Sequence, residues 1–160
     1  MLPLDKSTGL LPGNGAVLGT MQAVETAFVQ GQPAQRQRLY GELQRYNSAL
    51  HAVVGQPFRQ WLDGSFVSTR QHPNDLDLVS FLPAELVLNK LNELAAFRQP
   101  ASAYEGLDAY LVLQYQPEDP RYQLGIADEG YWNDLFRKTR PNHFGQTYTK
   151  AFVEILVAAP

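Results

Sequence analysis

The longest regular pattern of hydrophobic and polar positions runs through residues 33–54. Its apolar residues recur at helical spacing, at Leu39, Leu43, Tyr46 and Leu50. This spacing places them on one face of a helix. Pro33 suits the first turn of such a helix, and Gly55 suits its end. The pattern therefore predicts an amphipathic helix over 33–54, preceded by a shorter helix over 20–30.

The remainder of the chain alternates between strand-like and helix-like segments. Short apolar and β-branched runs bounded by Gly, Pro or polar residues predict strands, at 58–64, 75–82, 106–116 and 147–158. Helices are predicted over 83–98 and 131–138, and loops over 65–74 and 117–130. Residues 1–19 are rich in Gly, Pro and Leu, and we expect an irregular lead-in there.

This order of elements is typical of a single α+β domain over 1–160. Residues 20–54 supply its N-terminal helices, and residues 58–158 supply a catalytic-type core. We expect a mixed sheet of about four to five strands, backed by helices on one side.

Composition excludes several classes of function. The 160-residue chain has a formal net charge of −3 and no basic block, so bulk electrostatics do not indicate nucleic-acid binding. It has no cysteine, which excludes disulfides, thiolate zinc sites and a cysteine nucleophile. Its first residues lack a signal-peptide pattern, and no apolar run is long enough for a membrane span. We therefore expect a cytoplasmic protein with no membrane partner.

Two aspartates, Asp75 and Asp77, open the strand predicted at 75–82. In an extended segment they point to the same side. Two carboxylates about 4 Å apart repel by about 4 kcal/mol at an effective dielectric constant of about 20. Water, an arginine or a divalent metal ion can offset this repulsion. Carboxylate oxygens suit Mg²⁺ or Mn²⁺, so the pair indicates a metal site for phosphoryl-type transfer.

A Gly-Ser pair, Gly64 and Ser65, precedes these aspartates across the predicted loop. Glycine lets the backbone approach a phosphate closely, and the serine hydroxyl and amide can donate to phosphate oxygens. Arg70 in the same loop can pair with a phosphate. A D-x-D pair alone is typical of a solvated strand end, but the pattern G-S-x9-D-x-D between two apolar strands is far more specific. It predicts a nucleotide-binding loop beside the metal site.

These motifs resemble the signature of the nucleotidyltransferase superfamily related to DNA polymerase β. They are more closely similar to a group of short bacterial nucleotidyltransferase-like proteins. The resemblance lies in "WLDGSFV", "PNDLDLV", "DAYLV" and "YWNDLF". It implies a minimal nucleotidyltransferase fold in which Ser65 binds phosphate. It also implies that the catalytic metal ligands are Asp75, Asp77 and Asp108.

The chain departs from this family pattern in two places. Members with known activity commonly carry small or basic residues after the Gly-Ser pair, where this chain has Phe66 and Val67. Near the C-terminus a Lys-Gly pair is expected, whereas Lys150 is followed by Ala151. Neither departure removes a catalytic group, and both bear on the identity of the substrate.

Other residues with candidate chemistry have ordinary structural explanations, which we favour. Metal-ligand spacing is lacking among the histidines, which are His51, His72 and His143; His72 is assigned to a solvated loop. Asp63 is assigned to cap the turn at Gly64. Solvation on the long helix is the favoured interpretation for Arg36 and Arg38. Core packing is favoured over base stacking for Trp61, Trp132 and Tyr131.

Two hypotheses of different class remain. The first is an Mg²⁺-dependent nucleotidyltransferase, in which an acceptor oxygen attacks the α-phosphate of an NTP and pyrophosphate leaves. On this hypothesis Asp108 completes the metal site and orients or deprotonates the acceptor, which is a small molecule, a protein or an RNA end. The second is a catalytically inactive relative that binds nucleotide or a partner protein. The NTP, the acceptor and the oligomeric state stay open.

Overall fold

The computed structural model describes residues 1–100 and 103–158. Its elements, in chain order, are β1 (Gly15–Leu18), α1 (Met21–Phe28), α2 (Ala34–Val54), β2 (Phe58–Asp63), β3 (Leu76–Pro83), α3 (Ala84–Asn89), α4 (Leu91–Leu94), a 3₁₀ helix (Ala95–Phe97), β4 (Leu107–Gln114), α5 (Tyr122–Phe136) and β5 (Ala151–Val157). The last two residues of the expected 1–160 domain lie outside the described residues.

The five strands of the described residues form one mixed sheet in the order β1-β5-β2-β3-β4. The β1–β5 and β3–β4 pairs are parallel, whereas β5–β2 and β2–β3 are antiparallel. A parallel neighbour requires a crossover connection, and the short helices between β3 and β4 supply it. The prediction of an α+β fold, with a mixed sheet backed by helices, is confirmed.

Helix α2 packs its apolar face against one side of the sheet. The predicted stripe is buried in the main hydrophobic core, at Leu39, Leu43, Tyr46 and Leu50. Burying a leucine side chain of this kind contributes about 1.5–3 kcal/mol to stability. The helix ends at Gly55, whose φ of 75° lies in the left-handed region that glycine adopts without steric cost.

Helix α5 covers the opposite face of the sheet, so the expectation of helices on one side only is wrong. A second, largely aromatic core lies under it and consists of Trp61, Val79, Phe81, Val112, Phe136 and Phe152. The helix begins at Tyr122, inside the segment predicted as the loop 117–130. Only Gly125 and Phe136 of this helix are buried, so its sequence lacks a clear apolar stripe. Trp61 belongs to this core, as predicted.

Three other boundaries differ from prediction. The lead-in 1–19 contains β1, which pairs in parallel with β5. The helix predicted over 83–98 is interrupted at Lys90, where φ is −126° and Nζ donates to the carbonyl of Val53 at 2.7 Å. The last strand begins only at Ala151, because Thr149 forms a β-bridge with Lys138 instead.

The longest helix of the described residues is α2, with 21 residues. It is amphipathic, and its sequence contains several arginines. Across residues 1–100 and 103–158, no helix combines the length and the apolar character that crossing a membrane requires.

Candidate functional site

Three aspartates lie in one row across three neighbouring strands. Asp63 is the register partner of Asp77 in the antiparallel β2–β3 pair. Asp77 is in turn the partner of Asp108 in the parallel β3–β4 pair. Paired residues share a face of the sheet, with Cβ atoms about 5 Å apart in an antiparallel pair. This face is the one covered by α5, because Trp61, Val79 and Tyr110 lie two residues along the same strands and pack in the aromatic core. We call Asp63, Asp77 and Asp108 the acidic row.

Burial and the charges in and beside the acidic row raise the pKa of Asp77 from 3.8 to about 7. Burial is the largest cause, and the carboxylates of Asp75, Asp63 and Asp108 add to it. The Arg140 guanidinium opposes the shift. Asp75 lies immediately before β3 and exerts the strongest of the three carboxylate effects, so the structure brings together both aspartates of the D-x-D motif and Asp108. A group of carboxylates with so little compensating charge favours the binding of a cation.

At the β2 end of the acidic row, Asp63 forms an ion pair with Lys150. The Lys150 ammonium donates to Asp63 Oδ1 and to the carbonyl oxygen of Phe136 at 2.6 Å. Both side chains are only 8 % exposed. Burial raises the pKa of Asp63 to about 6, although the ammonium opposes the shift. A hydrogen bond from the Gly64 backbone also lowers the pKa of Asp63, in line with the expected role at the turn, and the ion pair with Lys150 is an additional role that the sequence did not predict. No local signal could have revealed the pair, because its members are 87 residues apart.

The Gly64–Ser65 turn follows β2 directly and lies against Asp77. Gly64 has a φ of 80°, and an ideal Cβ built on it would overlap Asp77 Oδ2 and lie 3.1 Å from Asp77 Cγ. Only glycine therefore fits this position with the Asp77 carboxylate in place. In the part of the chain that the structure describes, the Ser65 hydroxyl is not used in a hydrogen bond to protein. It is half-buried and free to donate to a ligand.

Buried Arg36 fixes the path of the Gly-Ser loop. Its guanidinium donates to five backbone carbonyls, those of Phe28, Ser65, Phe66, Ser68 and Arg70. The residue is 1 % exposed, so the assignment of Arg36 to the solvent is wrong. Its position three residues before Leu39, on the apolar stripe of α2, is the sequence signal that indicates burial.

The two bulky residues after the Gly-Ser pair anchor the loop from the other side. Phe66 and Val67 are buried in the main core, and the Arg36 guanidinium lies 5.4 Å from the centre of the Phe66 ring. Ser68 Oγ donates to the Ser65 carbonyl at 2.6 Å. The bulky side chains of Phe66 and Val67 therefore have a structural role, which is to anchor the loop that carries Ser65.

The remaining candidate residues differ in their exposure and in their contacts with this site. Arg70 and His72 are exposed, and the Arg70 carbonyl is one of those bound by Arg36. The Tyr110 hydroxyl hydrogen bonds to the Asp108 carboxylate, and burial together with Asp108 raises the Tyr110 pKa. The ring of Trp132 packs 4.5 Å from that of Tyr110. Tyr131 is exposed, so the expectation that it packs in the core is wrong.

The donor set of the site suits Mg²⁺ or Mn²⁺ held partly by a substrate. Within residues 1–100 and 103–158, no three His, Cys, Asp or Glu side chains are arranged as a complete metal-binding group. Mg²⁺ does not require one, because it is commonly bound by one or two carboxylates together with water and substrate phosphates. The excess negative charge around Asp77 and the all-oxygen donors fit such an ion. The residues that would hold it are Asp75, Asp77 and Asp108, one or two of them directly and the remainder through bound water.

Two surface depressions lie away from the acidic row. One of about 600 Å³ is lined by α2 residues and Tyr104. The other, of about 370 Å³, is lined by residues of α1, α2 and their connection. Neither contains an aspartate or an unpaired charge cluster. The acidic row at the strand ends is therefore the stronger candidate, because it is distinguished by its charges and hydrogen-bonding groups.

The fold and the site together define a mixed α+β protein with a cluster of carboxylates beside a glycine-serine turn. The chain belongs to the DUF6932 family, a family of unknown function, whose model matches residues 2–156. Comparison with curated proteins and with solved structures gave no match.

Proposed function

We propose that this protein is an Mg²⁺- or Mn²⁺-dependent nucleotidyltransferase that moves a nucleoside monophosphate from an NTP to an acceptor hydroxyl. The observation that supports the proposal is the position of the Gly64–Ser65 turn against Asp77 in the acidic row. A phosphate-binding turn and metal-binding carboxylates on neighbouring strands are the two parts that this chemistry requires. In this proposal the mixed sheet is a minimal nucleotidyltransferase fold, and its core is the β2–loop–β3 unit with β4 beside it.

The divalent ion, held by Asp75, Asp77 and Asp108, would supply positive charge to the attacking and leaving oxygens. Asp63 takes no part as a ligand, because the Lys150 ammonium already occupies its carboxylate. The Lys150–Asp63 pair instead supports the end of β2, from which the Gly64–Ser65 turn begins.

The protein groups have distinct roles in the transfer. Ser65 donates from its hydroxyl to the β- and γ-phosphates of the NTP, and Arg36 holds the loop that carries it. Asp108 orients the acceptor hydroxyl and takes its proton. The acceptor oxygen then forms a bond to the α-phosphorus, the bond between that phosphorus and the bridging oxygen to the β-phosphate breaks, and pyrophosphate leaves.

A second candidate function is a catalytically inactive module that binds nucleotide or a partner protein. The observation that favours it is that the described residues contain no complete three-donor metal group. On this hypothesis the Gly-Ser turn still binds phosphate, but the acidic row does not catalyse transfer.

Label transfer distinguishes the two candidates. The purified protein is incubated with each of the four NTPs, labelled at the α-phosphate, in Mg²⁺ or Mn²⁺. The protein, RNA and small-molecule fractions of a bacterial lysate serve as acceptors. Transfer by the wild type that is lost in Asp77→Asn, and kept in the exposed control Glu118→Gln, is the expected result. NTP binding without any transfer would favour the inactive module.

A further inference from the structure

A hairpin arm of residues 138–149 connects α5 to β5 and is held together by its own hydrogen bonds. Lys138 forms a β-bridge with Thr149, and the Thr139 amide donates to the carbonyl of Tyr148 at 2.9 Å. At the tip, the Asn142 amide donates to the Gln146 carbonyl at 2.9 Å. The arm is therefore a defined element that can present side chains in fixed positions.

The arm starts and ends at the acidic row. Lys150, the residue after its last position, donates from its amide to the Arg137 carbonyl at 2.9 Å. The Lys150 ammonium contacts both Asp63 and the last carbonyl of α5, that of Phe136. These contacts fix the base of the arm beside Asp63, one strand away from Asp77.

The charges of the arm are of one sign. Its sequence, "KTRPNHFGQTYT", contains the cations Lys138 and Arg140 and no Asp or Glu. The neighbouring cations are already paired, because Lys150 binds Asp63 and Arg137 binds Asp134 at 2.7 Å. Arg140 is exposed and forms no ion pair with a carboxylate in residues 1–100 and 103–158. Its charge nevertheless lowers the pKa of Asp77, so this guanidinium lies at the edge of the acidic site without being held in a salt bridge.

We propose that the hairpin arm binds the polyphosphate group of the nucleotide through Arg140. This inference rests on the proposed function and adds a positively charged element from a different part of the chain. A polyphosphate that approaches the acidic row meets carboxylates of its own sign, so cations must offset the repulsion. A guanidinium fork suits phosphate oxygens, because it donates two parallel hydrogen bonds. The Gly64–Ser65 turn supplies neutral donors, and Arg140 supplies the charge.

The probe for this inference is inorganic tripolyphosphate in excess MgCl₂, titrated into the wild type and variants by calorimetry. Arg140→Gln should weaken binding by about tenfold to a hundredfold, the size expected for a lost charge-assisted hydrogen bond. Arg140→Lys should retain part of the affinity, because it keeps the charge and loses the fork. The matched control is Arg38→Gln, on the exposed surface of α2 where Arg38 pairs with Glu105 at 3.0 Å, and it should bind as the wild type does.

Two results would overturn the inference: equal tripolyphosphate affinity in Arg140→Gln and the wild type, or no measurable affinity in the wild type. Label transfer by the wild type is scored separately. If Arg140→Gln still transfers label with unchanged KM, and its tripolyphosphate affinity is also unchanged, the hairpin arm does not bind the polyphosphate. The proposed nucleotidyl transfer is then supported without this role of the arm. Arg140-dependent tripolyphosphate binding without any transfer supports the arm and overturns only the catalytic part.

Discussion

The Asp77 carboxylate occupies the space that a side chain at position 64 would need. An ideal Cβ on Gly64 would overlap Asp77 Oδ2, and the Gly64 φ of 80° is a conformation that L side chains rarely adopt. The turn and the acidic row are therefore built as one unit. A change at Gly64 must move either the backbone of the turn or the carboxylate.

Gly64→Ala should remove the response of the protein to divalent metal. The wild type should melt at a higher temperature in Mg²⁺ or Mn²⁺, because a ligand that binds only the native state stabilises it. In Gly64→Ala the displaced Asp77 should give little or no such rise. Thermal melts with and without metal measure the effect.

Gly55→Ala is the matched control for this experiment. Gly55 has a φ of 75° and no atom within 4 Å of an ideal Cβ. Both variants carry a left-handed alanine, which costs about 1–2 kcal/mol, but only Gly64→Ala meets the carboxylate. If the two variants respond to metal equally, Asp77 is not part of the metal site.

Arg36→Met should destabilise the protein by about 3–5 kcal/mol, because it leaves several backbone carbonyls without a donor. Arg36→Lys should lower the free energy of unfolding by a smaller amount, since its ammonium can still donate to some of the five carbonyls. Arg38→Met, two residues away on the exposed side of the same helix, should change the free energy of unfolding by less than about 0.5 kcal/mol. Urea denaturation of the three variants tests the assignment, and equal losses at positions 36 and 38 would refute it.

The local sequence predicted the parts of the site that depend on spacing along one strand. Asp75 and Asp77 follow from the D-x-D pattern, whereas the inclusion of Asp108 rests on the family resemblance. The β3–β4 register then brings Asp77 and Asp108 together. Strand order is a property of the whole fold, so the partnership of Asp63 and Lys150 could not be predicted from either segment alone.

The predictions for Arg36 and for helix α5 were wrong for different physical reasons. An arginine is expected at the surface, because burying its charge is unfavourable. The backbone carbonyls that offset this cost come from a distant loop, and their position cannot be read from the local sequence. Helix α5 rests on the sheet through few buried residues and exposes several apolar ones, including Leu124 and Leu135. Its periodicity was therefore too weak to separate the start of the helix from a polar loop.

The stability of the metal-free protein should fall as pH rises from about 4 to about 7. The pKa of Asp77 is about 7 in the folded chain against 3.8 ordinarily. Between these values the folded state keeps a proton that the unfolded state has lost, so raising the pH favours unfolding. The pKa of Asp63, raised to about 6, acts in the same direction over a narrower range.

Thermal melts in EDTA at about pH 5 and about pH 8 measure this effect. The wild type should melt several degrees lower at the higher pH, and Asp77→Asn should lose most of that difference. The exposed control Asp128→Asn should keep it. Added Mg²⁺ should act in the opposite sense and stabilise the wild type more at the higher pH, because a metal ligand must be deprotonated. A melting temperature that rises steadily with pH in EDTA would contradict the raised pKa of Asp77.

Asp108→Asn should separate the chemistry of the site from binding. Asp108 is the register partner of Asp77, and the Tyr110 hydroxyl orients its carboxylate. In the proposed transfer Asp108 takes the acceptor proton, a role needed only as the acceptor oxygen attacks. Its loss should therefore lower kcat far more than it weakens NTP binding.

Glu118→Gln, in the loop after β4, should alter neither quantity. Tyr110→Phe should lower kcat less than Asp108→Asn, because it removes one hydrogen bond from the carboxylate and leaves the base itself in place. Calorimetry with MgATP measures binding, and label transfer measures kcat. Full activity in Asp108→Asn would refute the role as base. A parallel loss of binding and activity would mean that Asp108 acts only as a ligand of the metal, with no separate part in the proton transfer.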